Sequence, residues 1–362
     1  MKFLINKNDL EKKISTLQTI IPAHPVVPVI ENILIETTEN QVIVTATSLN
    51  TTVSVTLEAD IQGVGTVMVQ AKMVFDTLKN LPNQPIEFIG KKDRLTIKSD
   101  NGNYHIACDD YGDFPKFKEV KADSESVLEC SFFKKALEKT VPVSTDDDLK
   151  ANIKGVYLDL PQLKIVATDS YRISTYKHNS FTGDKALFCD KRAMYYLIKS
   201  LPDDGDCTLK FDGIYYSIQY EDTILQSRVK DEHYPAYQNV FPKNKKEAVI
   251  DRKELQGALK RINIYTNKDT HIAVLNFLDN KLTLKGEDVN YNSEGQEILH
   301  CEYDDEELTI GLNAKLLYEL INLLDGESVK FKLGESGHAV LIYDNNHKYV
   351  EMLIMPMLIH GR

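Results

Sequence analysis

The sequence predicts an α+β protein made of three tandem copies of one domain. Three observations carry that prediction. An amphipathic helix opens three segments, near Asn8, Ser131 and Asp251. A second helix follows in each, near Lys72, Lys191 and Asn313. These landmarks, with β-branched alternation between them, recur about every 120 residues and use up all 362.

The first helices place apolar residues at helical spacing: Leu10, Ile14 and Leu17; Phe133, Leu137 and Val141; Leu255, Leu259 and Ile262. The first of them is predicted over residues 8–21. The second helices read KMVFDTLKNLP, KRAMYYLIKSLP and NAKLLYELINLLDG. Two stop on Leu81-Pro82 and Leu201-Pro202, the third on Asp325-Gly326, because proline cannot continue a helix and glycine caps one. Between them, VIVTATSLNTTVSV (residues 42–55) aligns with KIVATDSYRISTY (164–176) and more loosely with KLTLKGEDVNYNS (281–293). The turn Asp113-Phe114-Pro115 returns as His233-Tyr234-Pro235. A period this long means tandem domains, placed at residues 1–123, 124–245 and 246–362.

Composition bounds the class. A hydrophobic fraction of 42% and a charged fraction of 27% are those of a folded globular chain. No segment approaches the roughly 20 apolar residues of a membrane span, and residues 20–30 are broken by Pro22, Pro25 and Pro28. The reading is cytoplasmic, with no membrane partner. Five dispersed cysteines without a CxxC pair argue against a disulfide framework or zinc site and fit small buried hydrophobes.

The net charge of −11, taken alone, argues against a nucleic-acid partner. Its distribution reverses that. The six predicted helix segments hold 15 Lys/Arg against 7 Asp/Glu, or +8, leaving −19 on the remainder. Lys134, Lys135, Lys139, Lys191, Arg192, Lys199, Arg252, Lys253, Lys260 and Arg261 supply most of the base. Lysines spread along helices, with no base-reading motif, attract phosphate without reading sequence.

No phosphate loop, HExxH, GxSxG or dinucleotide fingerprint is present, so no catalytic residue, metal or cofactor is expected. The run Asp146-Asp147-Asp148 has no second carboxylate cluster and reads as a solvated loop. Asp169 beside Ser170 and Arg172 has Ser48 as its counterpart in the repeat, so a turn role is the economical one.

Several stretches together resemble the β subunit of bacterial DNA polymerase III, the sliding clamp, along the whole chain. They are MKF at the start, HPVVPVIENILI (24–35), VATDSYR (166–172), YPAYQNVFPKN (234–244) and IMPM (354–357). The resemblance implies three DNA-clamp domains, each of two helices packed on antiparallel sheets. Two chains would close head to tail into a homodimeric ring around double-stranded DNA, helices inward, gripping any sequence. It further implies a pocket between domains two and three for the replicative polymerase and clamp-loader subunits. Carried over by position, the pocket comprises Ile153, Gly155, Thr168, Ser170, Tyr171, Arg172, Ile173, Pro235, Val240, Leu353, Met355, Pro356 and Met357, with Arg172 or Thr168 available to a partner's polar group. Where the family often has Gly-His before the arginine, this chain has Ser170-Tyr171. Asn239 stands for an arginine, and residues 358–362 extend past the pocket. For the subunit interface the resemblance points to Tyr104 and Ile106 meeting Ile264 and Tyr265. His24 falls on a loop near the duplex where the family tends to have arginine. Asp147 lies on a second such loop, which leaves Lys150 and the helix lysines to carry the DNA contacts.

Overall fold

In the computed structural model, which describes residues 1–22, 25, 27–115, 117, 120–345 and 348–359, one order of elements occurs three times. The first copy is β1 (Lys2–Asn6), α1 (Lys7–Ile14), β2 (Asn32–Thr37), β3 (Gln41–Thr47), β4 (Thr51–Glu58), β5 (Asp60–Gly63), β6 (Gly65–Gln70), α2 (Ala71–Asn80), β7 (Pro85–Gly90), β8 (Arg94–Ser99) and β9 (Gly102–Asp109). The second is β10 (Ser124–Glu129), α3 (Cys130–Thr140), β11 (Val156–Asp159), β12 (Lys164–Thr168), β13 (Arg172–Lys177), β14 (Ala186–Cys189), α4 (Lys191–Ser200), β15 (Asp206–Phe211), β16 (Tyr215–Tyr220) and β17 (Thr223–Arg228). The third is β18 (Lys246–Asp251), α5 (Arg252–Tyr265), β19 (Ile272–Leu278), β20 (Lys281–Asp288), β21 (Ser293–Glu302), β22 (Leu308–Asn313), α6 (Ala314–Asn322), β23 (Ser328–Leu333), β24 (Val340–Asp344) and β25 (Val350–Ile354). Among the described residues, only β5 lacks a counterpart in the other two copies.

The helices begin where short polar side chains can satisfy their first free N–H groups. Asn6 accepts from Asn8, Asp190 from Arg192 and Ala193, Asp251 from Glu254, and Asn313 from Leu316. All nine apolar residues read from the first-helix periodicity are buried. The helix predicted over residues 8–21 is shorter, however. It ends at Ile14 and tightens into a 3₁₀ segment, Ser15–Thr19. There Thr16 and Thr19 turn their hydroxyls onto the carbonyls of Lys13 and Thr16, a local bond that competes with α-helical continuation.

The chain divides into two compact units, Met1–Lys134 with Ser180–Asp231, and Lys135–Asn179 with Glu232–Arg362. The middle copy is thus divided between them. In the first unit the strand order is β10-β15-β16-β17-β4-β3-β2-β6-β9-β8-β7-β1-β5. The copies join where β17 pairs antiparallel with β4, from Thr223↔Val55 to Ser227↔Thr51. In the second unit the order is β11-β12-β13-β25-β24-β23-β18-β21-β20-β19-β22. There β25 pairs with β13 in the same way, from Val350↔Tyr176 to Ile354↔Arg172.

Among the described residues, and besides the strands that end each sheet, β9 and β21 each leave a stretch of edge unpaired. Along Gly102–Ala107, β9 pairs only with β8, touching β6 just at Cys108 and Asp109. Along Ser293–His300, β21 pairs only with β20, reaching β18 at Cys301 and Glu302. These two strands hold the positions that β17 and β4 hold in the first-unit junction.

Candidate functional site

The β13·β25 junction assembles most of the predicted pocket, starting from the turn between β12 and β13. Asp169 takes the N–H groups of Tyr171 and Arg172 on Oδ1 at 2.9 and 3.0 Å. Thr168 donates its hydroxyl to the Arg172 carbonyl at 2.7 Å and accepts the Ser170 N–H at 3.1 Å. Ser170 sits at φ 81°, a left-handed conformation that glycine adopts with less strain. The residues after β25 then lock on: the Met355 N–H donates to the Tyr171 carbonyl at 2.9 Å, and Met357 to that of Gly311 at 2.8 Å.

Arg172 is buried and braces this turn. Its Nε donates to Asp169 at 2.9 Å, Nη1 to the Leu316 carbonyl at 3.2 Å, and Nη2 pairs with Glu319 at 2.7 Å. Thr168 is equally occupied. Arg172 or Thr168 was expected to be available to a partner's polar group; the hydrogen bonds of both hold the turn, and those of Arg172 reach α6. Ile153, Ile173 and Leu353 are buried, while Tyr171, Pro235, Val240 and Met355 are exposed and Pro356 and Met357 half-buried. The segment carrying Pro235 and Val240 is anchored beside β11, where Tyr234 stacks on Tyr157 at 4.7 Å and the Tyr237 hydroxyl donates to Asp159 at 2.8 Å. Removal from water pushes the Tyr237 phenol above its ordinary range, with the adjacent Asp159 carboxylate adding to the shift.

Lys150, expected among the DNA-facing cations, lies against the 169–171 turn. Its ammonium donates to the Ser170 hydroxyl at 2.7 Å and the Asp169 carbonyl at 3.2 Å, and lies 4.8 Å from the Tyr171 ring centre. The tail supplies a feature the sequence did not suggest. Met357, Leu358 and Ile359 border a cavity of about 760 Å³ whose other walls include Thr309, Gly311, Lys243 and His338.

The helix cations fall into two groups. Arg192, Lys199, Lys253 and Lys260 are exposed and have no acidic partner among the described residues. Lys191 is half-buried in the first turn of α4. The others are engaged. Lys134 pairs with Asp203 at 2.6 Å, Lys135 with Asp325 at 3.7 Å, and Lys139 with Asp325 at 2.6 Å. Arg261 donates two hydrogen bonds to the Glu297 carboxylate, each at 2.7 Å, a pairing that raises its pKa, and Arg252 donates to the Gly326 carbonyl. Lys139, expected on the DNA-facing surface, is buried, and its charge offsets the Asp325 carboxylate just past α6. His24 lies outside the described residues.

The four expected interface residues lie on the open edges or beside them. Ile106 is buried and Tyr104 half-buried on β9, while Ile264 and Tyr265, at the end of α5, are 64% and 41% exposed. Among the described residues, no three His, Cys, Asp or Glu side chains are grouped to hold a metal. No described helix is long and apolar enough to cross a membrane.

Residues 1–118 match the family described as DNA polymerase III beta subunit, N-terminal domain, and residues 238–358 its C-terminal domain. The chain is 23% identical to the beta sliding clamp of Chlamydia pneumoniae and 24% to that of Proteus mirabilis, covering 99% of this chain and 100% of each relative. Among solved structures, the DNA polymerase III beta subunit of Thermotoga maritima superposes with a TM-score of 0.92 at 21% identity, covering 99% of both chains. A Bartonella birtlesii sliding clamp bound to griselimycin gives 0.92 at 22%, covering 99% of this chain and 100% of that one.

Proposed function

Because the chain belongs to the DNA polymerase III beta subunit family, we propose that it is a sliding clamp, a non-catalytic ring that encircles duplex DNA and confers processivity on a polymerase. The carrying observation is the pair of alike junctions. β17·β4 and β25·β13 join successive copies of one domain in one way, and the next two such edges, β9 and β21, are left open. An unpaired edge with apolar residues is unstable alone, and head-to-tail pairing between two chains satisfies both edges and closes the assembly. Six domains then form the ring, bounded near residues 123 and 245 in each chain.

DNA is held topologically and attracted electrostatically. Arg192, Lys199, Lys253 and Lys260 keep their charges available, and such contacts are sequence-blind and salt-sensitive. The face built on the 169–171 turn, with Tyr171, Val240 and Met355 exposed, receives the peptide of a polymerase or loader subunit. Methionine suits a surface that serves more than one partner. A clamp that acts on replicating bacterial DNA would work in the cytoplasm.

The test is to load the protein on nicked circular DNA and then linearise it. A ring slides off the ends; retention at the same salt concentration would sink the topological reading.

A further inference from the structure

The register of the copy-to-copy junction can be read from the two junctions inside the chain. The second helices begin after Gln70 and Asn313, so these residues are counterparts. Val69 pairs with Ile33 as Leu312 does with Ala273. Those partners lead across the next ladder to Ala46 and Gly286, and from there to Val53 and Gly295. Gly295 on β21 is therefore the counterpart of Val53 on β4. On the other side, the hairpins close at Ser99↔Gly102 and Tyr220↔Thr223, which makes Tyr104 the counterpart of Leu225. Leu225 stands directly opposite Val53. In the second unit the same pair of positions is Met352 opposite Ser174.

From this we infer that Tyr104 of one copy seats over Gly295 of a second copy, which fixes the interface register at Gly102↔Glu297, Tyr104↔Gly295 and Ile106↔Ser293. The inference rests on the ring reading and adds a residue-level rule to it. Each junction pairs a large residue with a smaller one on the buried face: Leu225 with Val53, Met352 with Ser174, Tyr104 with Gly295. The four residues of the internal junctions are fully buried. The glycine is required on its own chain as well. A Cβ there would lie 2.7 Å from the Tyr265 ring, so that ring already rests on the bare backbone. Tyr104 arriving opposite meets Tyr265 over the same glycine, and a cross-strand aromatic is the established cover for a glycine in a sheet. Two tyrosines left partly exposed by the single chain then bury one another.

Cysteine cross-linking tests the register in the full-length protein. Asn103 and Gln296 fall opposite each other on the solvent face, where both are exposed. Opposed residues of this kind lie about 5.5 Å apart at Cα, within disulfide reach. In a Cys108→Ser background, Asn103→Cys with Gln296→Cys is expected to form covalent dimer on mild oxidation at least about tenfold faster than Asn103→Cys with Glu294→Cys or Ile298→Cys, whose Cα atoms sit one diagonal further away. Tyr104→Ala is expected to raise the dimer dissociation constant by roughly tenfold or more, as loss of a central aromatic anchor does. A protein that sediments as a dimer but cross-links fastest through 294 or 298 overturns the register and leaves the ring standing. A protein that sediments as a monomer at micromolar concentration overturns the ring reading itself.

Discussion

The Lys139 ammonium lies 2.6 Å from the Asp325 carboxylate, with the lysine side chain only 10% exposed. Its carbonyl takes the Ser174 hydroxyl at 2.7 Å, so one residue ties α3 to both β13 and the end of α6. Lys139→Met keeps the aliphatic stem and removes the charge. It should cost about 1–2 kcal/mol, between the values of an exposed and a buried pair, because Asp325 is partly solvated. Denaturant titration measures this, and the salt dependence of DNA binding should not change.

Lys253 and Lys260 should behave in the opposite way. Both are exposed on α5 with no acidic partner among the described residues. Replacing each with glutamine should leave the unfolding midpoint within experimental scatter. Each change should also flatten the plot of log affinity for DNA against log salt by roughly one unit. An unchanged slope for the double variant would remove α5 from the DNA-facing surface.

Lys150→Ala separates the pocket from DNA. Losing the bonds to Ser170 and Asp169 and the contact over Tyr171 loosens the 169–171 turn. Affinity for a partner peptide, followed by fluorescence anisotropy, should fall several-fold, or about 1 kcal/mol. The DNA salt slope should be that of the parent. A lowered slope with unchanged peptide affinity would return Lys150 to the DNA contacts.

Gly311→Val tests how the tail is held. A Cβ at 311 would stand 2.7 Å from the Met357 carbonyl and 2.9 Å from the Ile359 side chain. The tail must then leave the edge of β22, so protease cleavage after Met357 should accelerate. The Met355-to-Tyr171 bond, two residues earlier, should still protect its amide from hydrogen exchange.

The repeat was legible because helix periodicity and the recurring turn are local signals. Leu10, Phe133 and Leu255 announce their burial through spacing alone, and all three are buried. The pocket turn was legible in type, since Asp169 caps it as the comparison with Ser48 suggested. What spacing could not reveal is where a long flexible side chain ends. Lys150 lies 20 residues from Ser170, Lys139 lies 186 from Asp325, and Arg172 reaches across 144 to Leu316. Such partners are chosen by tertiary packing, so a helix lysine destined for phosphate reads the same as one destined for a carboxylate. Part of the helix total of +8 is therefore met by carboxylates of the same chain.

The alike junctions have a consequence for how the polypeptide can be cut. In the first unit five residue pairs along β17 and β4 hold the first copy of the domain to the second, independently of the segment that links them in sequence. A chain severed after Asp109 should stay assembled there, and its two fragments, made separately, should find each other. Covalent continuity is then a matter of stoichiometry, guaranteeing that the right neighbours arrive together. An edge that pairs equally well within a chain or between chains lets the same domain serve as a link in a longer polypeptide or as a free-standing subunit.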